Sequence, residues 1–203
     1  MSFPEFFARI PGITLRDPLA ELLGAAEGGL IDYRFADAVK LAGHSCPTVA
    51  GAWLMTVRAL QALYGEEIPE RGNIVVALHE DLDSGVAGVI ASVATLLTGA
   101  AGEGGFKGLG GLHSRRGLLK FGYSGIAGIA FRRLDTNATV DCFFRPNSVP
   151  ADPRLGELLP TVIQGSANAA QTKLFGELWQ DRVRRLLLDH VDDPAVVELR
   201  RLA

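Results

Sequence analysis

From residue 47 onward the apolar positions recur at three- and four-residue steps: Val49, Ala50, Trp53, Leu54, Val57, Leu60 and Tyr64 fall on one face. The spacing predicts a long helix. Pro47 suits its first position, where a missing N–H costs nothing, Cys46 then serves as the N-cap, and Gly65 stops it. The next apolar run, "NIVVAL" at 73–78, is β-branched and lacks alternation, so it reads as a strand buried on both faces that emerges at "HEDLDSG". Helical spacing resumes in "VAGVIASVATLL", residues 86–97.

Polar and glycine-rich stretches divide the rest. "TGAAGEGGFKGLGGLHSRRG" holds eight of the 24 glycines and cannot be a regular helix; it predicts an excursion that uses left-handed backbone. "LLKFGY", "GIAGIAFRRL" and "ATVDCFF" follow as short strands of a meander, the last two joined across "DTN" as a hairpin. Upstream, Asp17 and Pro18 open a short helix that runs through Leu19, Leu22 and Leu23 to Gly24, and "RFADAVKLAG" forms another that ends at Gly43. Pro146 and Pro150 mark a boundary, after which Leu174, Leu178, Val183, Leu186 and Leu187 of "TKLFGELWQDRVRRLLLDH" fall on a helical repeat. That helix reads as a packing or dimerising arm.

A chain of 203 residues fits one domain with an appendage. The net charge of -3 and the lack of a basic run argue against a nucleic-acid or anionic-lipid partner. The opening residues have no basic region leading into an apolar one, so no secretory signal is expected, and no apolar stretch approaches the roughly 18 residues that a membrane span needs. The expected location is the cytoplasm. There Cys46 and Cys142 are free thiols or metal ligands rather than a disulfide pair.

His44 and Cys46, just before the long helix, combine an imidazole with a sulfur at the positive end of a helix dipole, the setting that favours the thiolate which a metal or an electrophile requires. Two ligands do not complete a zinc site, which takes three or four from the protein. The bland alternative is a loop histidine hydrogen-bonded to backbone and a cysteine packed as a small apolar residue. Further donors are available at the end of the buried strand, in His79, Glu80, Asp81 and Asp83, and in the glycine loop, in His113. His190 reads as a surface residue near a helix end, and Cys142 as core. Arg115 and Arg116 read as solvated, or as holding an anionic ligand beside His113. "GGFKGLGG" matches neither a P-loop nor a dinucleotide fingerprint, and no G-x-S-x-G elbow occurs. Cys46 as a nucleophile with His44 as its base stays open, although residues two apart at a helix start point at each other poorly.

"GHSCPTVAGAW", "VVALHEDLDSGVAGVI", "RRGLLKFGYSGIAGIAF" and "LWQDRVRRLLL" together resemble the FmdE-like family of formylmethanofuran dehydrogenase subunits and their stand-alone relatives, over about residues 35 to 190. Gly-His-x-Cys-Pro is the most specific element. The resemblance implies an α+β fold with a helix-strand-helix-three-strand core and a mixed sheet, here residues 1–145, flanked by N-terminal helical segments and a C-terminal helical arm at 146–203. It also implies a homodimer and zinc, or another divalent transition metal, bound by His44 and Cys46. Relatives carry a cysteine just after the buried strand where this chain has Ser84, and another in the glycine loop that is missing near His113. His79 and His113 are the expected substitutes, with Asp83 behind them, and such a site would hold a harder ion.

The family's dehydrogenase chemistry belongs to other subunits, which hold molybdenum or tungsten. The expected function is therefore metal binding with an open position for a small anionic or thiol ligand, clamped by Arg115 or Lys107, with Glu80 or Asp81 as a base if a reaction occurs. The alternatives are a non-enzymatic accessory or carrier subunit of such a metalloenzyme, and a thiol redox protein working through Cys46.

Overall fold

The computed structural model describes residues 3–202. The fold is α+β: among these residues there are six helices and a mixed five-stranded sheet covered by the helices Pro47–Tyr64 and Ala87–Thr98, with a small antiparallel pair beside them. The pair joins β1 (Ile13–Arg16) to β2 (Leu30–Tyr33) around the short α1 (Pro18–Leu22). Then come α2 (Phe35–Ala42), α3 (Pro47–Tyr64), β3 (Ile74–Leu78) and α4 (Ala87–Thr98). After the glycine loop the chain forms β4 (Leu119–Lys120), β5 (Ile129–Arg133) and β6 (Thr139–Phe144). It closes with α5 (Arg154–Ile163), α6 (Ala169–Arg184) and β7 (Val197–Leu202).

The strand order is β4-β3-β5-β6-β7. β3 is buried at every position, as its unbroken apolar run requires, and α3 covers the sheet with Trp53 and Leu60 fully buried. Phe35 at the start of α2 meets Trp53 edge to face, with ring centroids 6.1 Å apart. Among the described residues no helix is long and apolar enough to cross a membrane.

Two connections differ from the meander. β4 is two residues long and runs parallel to β3, while β5 pairs antiparallel with β3 on the other side. The chain crosses the end of β3 between them: the Gly122 N–H donates to the Glu80 carbonyl and the Tyr123 N–H to that of Leu78. Only β5 and β6 form the expected hairpin. The C-terminal segment is not wholly helical, because Val197–Leu202 returns as an edge strand along β6.

Arg115 is buried, not solvated. Its guanidinium binds Asp17 at 2.6 Å, and Arg71 binds the other carboxylate oxygen. Asp17 also caps α1 by accepting from the Leu19 N–H at 3.0 Å. Burial works against its ionisation, but the two guanidinium groups and the cap outweigh it and hold the carboxyl below its ordinary range. Arg115 thus fastens the glycine loop to the N-terminal segment and is not available to clamp a ligand.

Candidate functional site

Gly43 ends α2 in the left-handed region (φ 75°), which turns the chain abruptly into His44. Nδ1 of His44 lies 2.9 Å from the Ala42 carbonyl. A carbonyl only accepts, so Nδ1 carries a proton, and in the neutral ring that leaves the lone pair on Nε2. This is the arrangement in which a backbone oxygen orients a histidine for metal ligation. Cys46 is the N-cap of α3, its Sγ accepting from the Val49 N–H at 3.5 Å, and Pro47 occupies the first turn.

The turn between these two residues is held from far along the chain. The Ser45 carbonyl accepts from Trp179 Nε1 and Gln180 Nε2, each at 3.1 Å, and the Ser45 hydroxyl donates to Gln180 Oε1 at 3.0 Å. Periodicity marks α6 as a packing helix but carries no signal for this clamp.

A pocket of about 280 Å³ opens where the start of α3 meets the ends of β3 and the β5–β6 hairpin. Pro47 and Thr48 form one side, Met55, Leu78 and Ile129 the floor, Val86 and Ile90 the α4 side, and Phe143 and Phe144 the far wall. His79 and Glu80 stand exposed at its rim. Buried Asp141 shapes the adjoining loop by accepting from the Ala127 N–H at 2.7 Å and the Gly128 N–H at 3.3 Å. Cys142 is core, as the strand pattern predicts: burial pushes its thiol up to about 12, and Sγ faces the Met55 carbonyl. Neither Asp141 nor the two phenylalanines stands out in the sequence, since each sits in an ordinary strand pattern.

The four histidines part company. His79 shares the pocket with Pro47 and Thr48, whereas His44 borders a separate shallow hollow with Leu41, Gly88, Val89 and Ser92. His113 sits in the glycine loop at φ 60°, next to a tight turn in which Leu109 and Leu112 bridge across Gly110 and Gly111. His190 pairs with Asp193 at 2.8 Å, the surface role its place near a helix end suggests. Among the described residues, no group of three or more His, Cys, Asp or Glu side chains is arranged to hold an ion. His44 and Cys46 by themselves would supply only two ligands, short of the three or four that zinc takes from protein.

No family model matches the chain, and no curated protein matches it.

Proposed function

We propose that this protein binds a small molecule in the pocket between the start of α3 and the end of β3, beside a divalent metal half-site formed by His44 and Cys46. The observation that carries the reading is that the residues following Cys46 and the rim residue His79 line one apolar pocket. The carbon-lined walls suit the apolar body of a ligand. The start of α3 and the His79 imidazole suit an anionic or thiol head group on it. The resemblance to the FmdE-like family supports the metal half-site, as does the free Nε2 that the Ala42 carbonyl leaves on His44. Ligand atoms or water would complete the sphere, with zinc the first ion to test.

A binding or carrier role is favoured over independent turnover by the pocket wall itself. Its only thiol, Cys142, is kept protonated by burial and turned toward a carbonyl, so the wall offers no thiolate.

Elemental analysis and zinc titration of the wild type, His44→Ala and Cys46→Ser test the half-site, with His190→Ala as control. Loss of the ion in the first two variants alone is expected; equal metal content in all four ends the metal reading. Thermal-shift screening with small carboxylates and thiols, repeated on Met55→Trp to fill the pocket, tests the ligand reading. Shifts that persist in the filled variant would overturn it.

A further inference from the structure

Three arginines cluster at the C-terminal end of α6, and two of them have carboxylate partners. Arg184 binds Asp181 and Asp189, and Arg185 binds Asp181. Arg182 has no such partner among the described residues: its Nε donates to the Val149 carbonyl at 2.9 Å and its Nη2 to the Pro146 carbonyl at 2.7 Å. Burial and the neighbouring Arg185 both work against its charge. A guanidinium carries five N–H donors, and Nη1 of Arg182 uses neither of its own on the described residues.

Arg182 borders a second cavity, of about 110 Å³, between α5 and α6. Leu155, Leu159, Phe175 and Trp179 supply its apolar walls. Pro47 lines this cavity and the larger pocket alike, and Pro146, whose carbonyl holds the guanidinium, lines the larger one. The first residue of α3 is thus a wall common to both spaces, with the arginine on its far side.

These positions decide where a negative charge is best placed. At the rim of the larger pocket His79 has Glu80 beside it, and that carboxylate opposes an anion. Arg182 offers a cation without a counter-charge, already oriented by two carbonyls and set against apolar walls, where a charge-assisted hydrogen bond is stronger than in water. A planar guanidinium also matches a carboxylate better than a thiol, which presents a single weak acceptor. We infer that the ligand of the larger pocket is an apolar monocarboxylate, its hydrocarbon body in that pocket and its carboxylate reaching past Pro47 to Nη1 of Arg182. A cavity of about 150 Å³ holds benzene, so the larger pocket, at about 280 Å³, has room for a ring and a short arm. The inference rests on the ligand reading proposed above and commits it to one head group and one recognising residue.

Calorimetry of the full chain with 3-phenylpropionate and with its neutral primary amide tests this, because the two compounds share a shape and differ in charge. The wild type is expected to bind the carboxylate roughly tenfold more tightly than the amide. Arg182→Gln should bind both compounds alike, at the level of the amide. Arg182 also holds the turn after β6, so Gly156→Leu supplies a second arm: it adds bulk at the α5 wall of the smaller cavity, where a Cβ meets no atom within 4 Å, and keeps the arginine. It too should abolish the preference for the carboxylate. A preference retained in either variant overturns the inference, as does a wild type that binds neither compound or binds the amide as tightly. Met55→Trp separates this failure from that of the underlying reading: loss of both compounds there keeps the larger pocket as the seat of the ligand body, whereas undiminished binding of both would sink the pocket reading and this inference with it.

Discussion

Trp179 donates its indole N–H to the carbonyl of Ser45 at 3.1 Å, joining α6 to the turn that presents His44 and Cys46. The indole also stacks on Phe175, with centroids 5.6 Å apart. Trp179→Phe keeps an aromatic ring and removes the donor. It is expected to lower stability by about 1 kcal/mol, the net worth of one such bond, while loosening the turn and weakening zinc binding. Chemical denaturation and metal titration measure the two effects; unchanged metal affinity would remove the turn's role as a prepared half-site.

Asp17→Asn separates two kinds of stabilisation. It leaves the buried guanidinium of Arg115 and the half-buried one of Arg71 without their counter-charge, a loss expected to be about 3–5 kcal/mol. The Asp17 carboxyl is held below its ordinary range when folded. Its contribution is therefore complete above the unfolded value of about 4 and fades as pH falls through the lower folded value. Urea midpoints for wild type and variant should converge as the buffer is acidified below about pH 4. Parallel curves would show that the ion pairs contribute little.

Gly51→Ala sets two effects against each other. In a helix interior alanine is favoured over glycine by about 0.5–1 kcal/mol. At this position, however, an added Cβ collides with the ring of Phe144. Crowding of that kind costs about 1–3 kcal/mol, so net destabilisation is expected. Phe144 is part of the pocket wall, and ligand-induced thermal shifts should fall as well.

The cysteines should differ in reactivity. Cys142 is fully buried with its thiol pushed up to about 12, whereas Cys46 is only partly covered. Brief alkylation of the native chain should label Cys46 alone, and unfolding should release the second site. Mass spectrometry of tryptic peptides reads the result, and early labelling at Cys142 would contradict its place in the core.

Much of the fold is legible in local pattern. Pro47, the apolar face from Val49 to Tyr64, and Gly65 delimit α3 without reference to anything distant. The unbroken run of β3 announces a strand buried on both faces. Where partner choice decides, pattern falls silent. Leu119 and Lys120 pair parallel with β3 because the chain crosses over the end of β3 before β5 begins, and no propensity within "LLKFGY" encodes that crossing. β7 lies at the sheet edge and alternates only weakly, so the stronger helical signal of α6 hides it.

For the site, His44 and Cys46 are recognisable because helix starts advertise themselves. Pro47 and His79 line one pocket, while His44 borders a separate hollow. Arg115 looks solvated in the sequence because its partner, Asp17, lies 98 residues away and itself looks like a simple helix cap. The Phe143–Phe144 wall and the Gln180 clamp depend on tertiary contacts that one sequence does not expose.

Residues 179 and 180 are made long after residue 45. While the polypeptide is still being synthesised, most of the sheet and α3 can already assemble, but the turn bearing the imidazole and sulfur has only its local bonds to hold it. The order of manufacture therefore keeps that turn without its distant clamp until the late helix arrives.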